Sequence, residues 1–211
     1  MGLKAFPWSQ VEKLIETEKN QGVRISLYID DGWLNEYKPT LTERGFAFLG
    51  TDTYVYRELD QAYPVKDGVT IVPLNEALMN DYVNVAKKCF GEWPNEEQCA
   101  RFTAKLTKSA DNRRYNQTAL VMNQAREVVA FGSILNDLDG KLGYIHNTGT
   151  REDYRRKGLF TEMVKYLSNI AFAENIKTVL AIVEKDQASY HGFMKMGYHQ
   201  SPLYHLYSKG K

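Results

Sequence analysis

The residues best suited to chemistry form one run, His146-Asn147-Thr148-Gly149-Thr150-Arg151-Glu152-Asp153-Tyr154-Arg155-Arg156-Lys157-Gly158-Leu159-Phe160-Thr161. It reads as a strand leaving into a basic turn and then entering a long amphipathic helix from Gly158. The first N–H groups of a helix lack internal acceptors, and the aligned peptide dipoles place partial positive charge there. Arg155, Arg156 and Lys157 add cations at the end where cations disfavour the helix, so a compensating anion is expected. A pyrophosphate suits such donors, and Gly158 lets a ligand come close to the backbone. A solvated basic turn is the plainer explanation of three adjacent cations. Neither a P-loop nor a dinucleotide fingerprint fits. No Gly stands five residues before Gly158, no Ser or Thr follows Lys157, and spaced glycines are missing.

The elements that must position this turn follow from periodicity and breakers. Ser9 is placed to cap a helix carrying Val11, Leu14 and Ile15 and ending near Gly22, and Val23–Ile29 alternates as a strand. Asp31-Gly32 reads as a turn, Leu34–Arg44 as a short helix despite Pro39, and Gly45 as its stop. Phe46–Leu59 reads as a strand pair turning around Gly50-Thr51-Asp52. The polar stretch around Tyr63–Gly68 then divides residues 1–63 from residues 69–211, with 64–68 as linker. Beyond it come a strand at Val69–Leu74, helices at Glu76–Phe90 and Asn95–Ser109, and strands at Thr118–Asn123, Val128–Leu135 and Lys141–Thr150. A helix from Gly158 to about Glu174, a strand Thr178–Val183, a helix Gln187–Met196 stopped by Gly197 and a strand Tyr198–Tyr207 complete the order. Hairpins followed by a βαβ unit predict an α+β fold, a mixed and largely antiparallel twisted sheet with helices on both faces. Val11, Leu14, Val23, Leu27 and Ile29 recur in order as Val164, Leu167, Ile176, Leu180 and Ile182, and Gly45-Phe46 as Gly197-Tyr198. This echo suggests a partial internal repeat in residues 1–63.

Composition sets the outer bounds. With 211 residues, 43% hydrophobic and 25% charged, the chain can bury a substantial core. A formal net charge of +1 argues against nucleic-acid and membrane partners, which favour strongly basic surfaces. Cys89 and Cys99 lack the companions of a zinc site or disulfide framework and read as reduced thiols. No apolar run has the length of a membrane span, Met1–Pro7 is no signal peptide, and Phe6 spoils a myristoylation pattern. The expected location is cytoplasmic, and a homodimer is compatible with the sequence.

Asp153-Tyr154-Arg155-Arg156-Lys157-Gly158-Leu159-Phe160 resembles the acetyl-CoA signature of GNAT acyltransferases, Arg/Gln-x-x-Gly-x-Gly/Ala, with its acidic-Tyr lead-in. Thr148-Gly149-Thr150 resembles the end of that family's fourth strand. Asp186-Gln187-Ala188-Ser189-Tyr190-His191-Gly192-Phe193-Met194-Lys195-Met196-Gly197-Tyr198 resembles its second signature, Asn-x-x-Ala/Ser-x-x-x-Tyr-x-x-x-Gly-Phe. The likeness runs from Val69 to about Ser208. It implies acetyl-CoA as cofactor, with its pyrophosphate on the amides of Arg156, Lys157, Gly158, Leu159, Phe160 and Thr161, flanked by Arg155 and Arg156. It implies that the strand ending at Thr150 splays from strand Thr178–Val183, leaving an edge at Thr148, Gly149 and Thr150 for the pantetheine arm. Asp186 and Ser189 would lie beside that arm. The resemblance thus implies an N-acetyltransferase acting on a small-molecule amine or peptide by direct attack in a ternary complex.

Departures from the pattern matter as much. Phe160 replaces a small residue, Asp186 an Asn, and Phe193 the Tyr that protonates the leaving thiolate. A phenylalanine has no proton to give. Tyr190 shares a helix face with position 193 and is the better substitute, with His191 and Tyr198 behind it. His146 is the candidate base because it lies on the strand leading to the cleft and titrates near neutral pH, and Glu184 is its rival. Residues 1–63 would resemble half of such a domain without its cofactor turn, extending the sheet or walling the acceptor cleft. The alternative functions are a non-catalytic acyl-CoA-binding module and a scaffold with an empty turn. Acceptor choice would rest on loops around Phe90–Pro94 and Ala110–Gln117, with Trp93 and Tyr115, which carry no chemical code.

Overall fold

The computed structural model describes residues 9, 12, 13, 16, 25–90, 116–137 and 139–209. In chain order the elements are β1 (Ile25–Asp30), α1 (Asp31–Glu43), β2 (Ala47–Glu58), β3 (Thr70–Pro73), α2 (Met79–Phe90), β4 (Asn116–Met122), β5 (Val128–Asp137), β6 (Leu142–Thr150), α3 (Leu159–Ala173), β7 (Thr178–Glu184), α4 (Ala188–Lys195) and β8 (His199–Lys209). Ser9, Glu12, Lys13 and Glu16 are helical. The rest of that first helix, the helix expected at Asn95–Ser109, and the residues Trp93, Cys99 and Tyr115 lie outside the described residues. The eight strands hydrogen-bond in the order β1-β8-β2-β7-β6-β5-β4-β3. The fold is the expected mixed, largely antiparallel sheet, with β6 and β7 as a parallel pair. The chain forms two compact units, Met1–Tyr54 with Ser201–Lys211, and Val55–Gln200.

In the first unit β1 runs straight into α1. The Asp30 carboxylate accepts the Gly32 N–H at 2.9 Å and caps the helix, so Asp31-Gly32 is the first helical turn rather than a separate loop. Pro39 sits inside α1, where it removes one backbone donor. At the far end Phe46 N–H reaches Leu41 O (2.9 Å) and Gly45 N–H reaches Thr42 O (3.0 Å). Gly197 and Tyr198 close α4 in the second unit with the same pattern. The expected hairpin at Gly50-Thr51-Asp52 is absent, because β2 is one continuous strand of 12 residues. Its neighbour β8 overrides the local turn composition. Thr51 Oγ1 meets His205 Nδ1 at 3.1 Å, Thr53 Oγ1 donates to Ser201 O at 3.1 Å, and Tyr54 N–H donates to Ser201 Oγ at 3.1 Å. Ile25, Ile29, Tyr37, Leu41, Phe46 and Tyr207 are buried together as this unit's core.

Among the described residues the second unit carries α3 and α4 on one face of its strands and α2 on the other. On one face Met163, Val164, Leu167 and Ala171 of α3 pack on Ile134, Ile145, Val179 and Ala181. On the other, Met79, Tyr82, Val85 and Ala86 of α2 cover Leu120, Val128 and Phe131. Apolar burial of this kind contributes about 25 cal/mol per Å². The segment read as a linker lies within this unit and is fastened along α3. Asn169 brackets Tyr63, accepting its N–H at 2.7 Å and donating to its carbonyl at 2.9 Å, and Glu162 Oε2 accepts the Lys66 N–H at 2.7 Å. Burial opposes the charge on Glu162. The Lys66 amide and the Lys165 ammonium (2.9 Å) outweigh it and hold the carboxyl below its usual range.

Candidate functional site

The site begins where the parallel pair comes apart. Ladder contacts between β6 and β7 run only through Leu142↔Thr178, Gly143↔Val179 and Tyr144↔Leu180. Beyond Tyr144 no further ladder pairs form and the two strands diverge, as the family resemblance implied. The cause lies in β6, whose register against β5 shifts between Phe131 and Ser133. Asn147, at φ +47, is the extra residue there. A bulge of this kind bends its strand and re-aims the residues beyond it. Thr148, Gly149 and Thr150 therefore lie past the bulge, half-buried, with no ladder partner on the β7 side. Cys89 packs behind Gly149. Burial pushes its thiol up against the pull of Arg155 and Arg151, so it is not the reactive kind of cysteine.

The basic turn follows directly. Glu152–Tyr154 form a single 3₁₀ turn, and Arg156 (φ +62) and Gly158 (φ +82) are left-handed on either side of Lys157. That alternation turns successive N–H groups toward one concavity. Gly158 is the N-cap of α3, a conformation costly for other residues, and a Cβ built on it meets nothing within 4 Å. Glu162 N–H is the first to bond back, to Gly158 O at 3.2 Å. Among the described residues no acceptor meets the peptide N–H groups of Arg156 through Thr161. Arg155, Arg156, Lys157 and Gly158 are exposed, while Leu159, Phe160 and Thr161 are half-buried.

A framework missed in the sequence holds this turn still. Arg151 grips Asp153 through two bonds of 3.1 and 2.7 Å, and its main-chain N–H bonds Val129 O. Tyr154 is the keystone. Its hydroxyl accepts from Asn123 Nδ2 at 2.8 Å, while Arg151 and Lys157 lie 5.0 and 4.5 Å from its ring centre. Arg155 Nε donates to Thr150 O at 3.3 Å, tying the turn to the strand end. The acidic-Tyr lead-in was the only sequence signal for this framework.

The departures from the second signature also find their places. Phe193 is 1% exposed, edge-on to Phe160 at 5.2 Å and Tyr198 at 4.8 Å. Phe160 points away from the turn and lies over Gly192, where a Cβ would stand 2.6 Å from its ring. The bulky residue in the first signature is thus matched by a missing side chain in the second. Tyr190 is buried, and its hydroxyl accepts from Lys185 Nζ (2.6 Å) and donates to Gln200 Oε1 (2.6 Å). Lys185 also lies 3.5 Å from Asp186, which has φ +66. Lys185 and Gln200 were not singled out in the sequence, since nothing in their spacing marks them. Ser189 is half-buried in the first turn of α4, and His191 is exposed.

His146 stands opposite Ser133, just before the bulge. Its ring stacks on Tyr144 (5.4 Å, 13°), and Nε2 meets Asn116 Oδ1 at 3.3 Å above the small Ser133. With an amide oxygen facing it, Nε2 carries the hydrogen and Nδ1 keeps its lone pair. Burial holds the imidazole below its usual value of 6.5, so it is neutral at physiological pH. Glu184 ends β7 and is exposed. Alternation along β7 puts it on the same sheet face as His146, because Val179, Ala181 and Val183 face α3.

A family model described as "Acetyltransferase (GNAT) family" matches residues 77–198, more than half of the chain. No curated protein matches significantly. A GCN5-related N-acetyltransferase from Sphaerobacter thermophilus superposes with a TM-score of 0.75 at 14% identity, over 96% of this chain and 66% of that one. One from Kribbella flavida gives 0.64 at 16%, over 97% and 76%. A tandem GNAT protein from the clavulanic acid biosynthesis pathway gives 0.68 at 11%, over 96% and 68%. At these identities the likeness is one of fold. The chain spans just under two thirds of the Sphaerobacter protein.

Proposed function

The chain belongs to the acetyltransferase (GNAT) family, and from that premise we propose that it transfers an acetyl group from acetyl-CoA to an amine, on a small molecule or a peptide, by direct attack in a ternary complex. The observation that carries this reading is the row of peptide N–H groups from Arg156 to Thr161, which meet no acceptor among the described residues and lie at the mouth of the opened β6–β7 pair. The donor set fits a diphosphate: oriented amides, the N-terminal end of α3, and exposed Arg155 and Arg156 without carboxylate partners among the described residues. When bound, acetyl-CoA supplies the activated acyl group and the thiol leaving group.

Each residue then has a task. The amides and cations of 155–161 fix the nucleotide end, with the Thr161 hydroxyl at the same helix start. The free edge of Thr148, Gly149 and Thr150 offers main-chain donors and acceptors to an extended chain lying in the gap, and Asp186 and Ser189 stand beyond the end of β7 on the other side. His146 takes the proton of the acceptor ammonium at Nδ1, directly or through water, and its depressed pKa keeps that atom available. Glu184 is the second proton acceptor on this face. Tyr190 donates to Gln200, and protonates a thiolate only by giving that bond up. Positioning therefore carries most of the rate enhancement.

A non-catalytic acyl-CoA-binding module is the second reading, supported by the burial of Phe193 and the engaged Tyr190 hydroxyl. Steady-state release of CoA thiol with a panel of amines separates the two. Amine-dependent turnover supports the transferase. CoA binding without turnover for any amine supports the second reading.

A further inference from the structure

Among the described residues α2 covers only part of the sheet face opposite α3, and the register fixes which side chains share the remainder. Leu135 pairs with Tyr144, and Tyr144 with Leu180, so these three form one cross-strand row. The next row holds His146 and, on the diverging strand, Ile182. Leu135 is 44% exposed and Ile182 40%, whereas their neighbours Ile134, Ala181 and Val183 are buried against α3. Large aliphatic side chains are thus turned to solvent on both sides of the histidine, at the place where the strands open. Tyr144 lies flat against the His146 ring and extends the apolar surface between them. An exposed apolar patch that adjoins a cleft is a mark of ligand contact.

Charge distinguishes the two ends of this patch. Glu184 stands two residues beyond Ile182 on the same face, at the open end next to the histidine row, whereas Asp137 (opposite Leu142) and Glu58 (beside Lys177) lie at the far end, where β6 and β7 are still paired. An apolar floor with a carboxylate at its histidine end complements a cation on an apolar body.

We propose that Leu135, Tyr144, Leu180 and Ile182 form the floor of the acceptor site, and that the acceptor is a primary amine on an apolar body, an alkylamine or arylalkylamine, with its nitrogen at His146. This rests on the reading of the site as an acetyltransferase. It goes further by naming the substrate class.

The test is a specificity series with acetyl-CoA: propylamine, butylamine, pentylamine, hexylamine and phenethylamine, against ethanolamine and glycinamide. Along the alkyl series kcat/KM should rise roughly fourfold per methylene. In Leu135→Asn and Ile182→Asn, whose side chains are already partly in water, the hexylamine-to-ethanolamine ratio should fall about tenfold. CoA affinity measured by calorimetry checks that each variant is folded. In the CoA-free protein, saturation-transfer NMR should show phenethylamine on the wild type and weaker transfer in both variants. Ethanolamine or glycinamide matching hexylamine overturns the proposal and leaves the transferase reading intact, and so does an unchanged ratio in the two variants. Phenethylamine binding that depends on Leu135 and Ile182, with no amine acetylated, would uphold the apolar floor while the transferase reading fails.

Discussion

Replacing Gly192 by Ala would set a methyl carbon 2.6 Å from Cε1 and 2.8 Å from Cδ1 of Phe160. Two terms of opposite sign decide the outcome. Gly192 lies inside α4, where Ala is favoured over Gly by about 1 kcal/mol. Overpacking against a ring costs about 1–3 kcal/mol. Phe160 cannot swing aside freely, because its ring also lies edge-on to the buried Phe193. Gly192→Ala should therefore destabilise the protein by about 1 kcal/mol, or some 2–4 °C in melting temperature for a chain of this size. In a Phe160→Ala background the obstacle is gone and the helix term remains, so the same substitution should stabilise by about 1 kcal/mol. The assay is a double-mutant cycle in urea, with coupling of about 1–3 kcal/mol expected. Because Phe160 also belongs to the turn proposed to hold the cofactor, Gly192→Ala should weaken CoA binding in the Phe160 background only. Stabilisation by Gly192→Ala with Phe160 present would refute the claim that the two signatures compensate each other.

Three further outcomes follow from the same geometry. With burial holding His146 below 6.5, the acid limb of kcat/KM should lie below that pH, and His146→Gln should remove the limb and lower kcat by about 10²–10⁴. The same depressed pKa makes the folded state bind fewer protons than the unfolded one, so His146's contribution is constant above about 6.5 and turns unfavourable as pH falls below it. Glu162→Gln should cost about 1–3 kcal/mol at pH 7 in chemical denaturation. The Glu162 carboxylate titrates below 4.5 in the fold, so the difference should persist above that pH and shrink as pH falls through the folded value. Tyr190→Phe should cost about 1 kcal/mol of stability and leave kcat within about threefold, whereas a loss of about 10²-fold or more would make Tyr190 the acid after all.

What the sequence disclosed and what it hid have physical reasons. Strongly periodic segments with clear stops, such as β4, β5, α3 and α4, were legible to within a few residues. The turn at Asp31-Gly32 and the hairpin at Gly50-Thr51-Asp52 misled because short-range composition competes with long-range pairing. Asp30 turns the first into a helix start, and β8 straightens the second. At the site, the run Arg155–Thr161 announced itself because unpaired amides and clustered cations are both visible in one stretch of chain. The partners that set its neighbours were invisible. Asn116 reaches His146 across β5, Asn123 reaches Tyr154 from a hairpin, and Lys185 and Gln200 close on Tyr190, each from a different element. No spacing rule encodes such contacts. They exist only once the sheet register is set.

The central claim is that a diphosphate sits on the bare amides at the start of α3. Titrating CoA into ¹⁵N-labelled protein tests it most directly, in the wild type and in the pair Arg155→Ala/Arg156→Ala. The largest amide shifts should fall on Gly158, Leu159, Phe160 and Thr161, with the dissociation constant raised about tenfold or more in the pair. Shifts centred elsewhere, or an affinity indifferent to both arginines, would contradict the account.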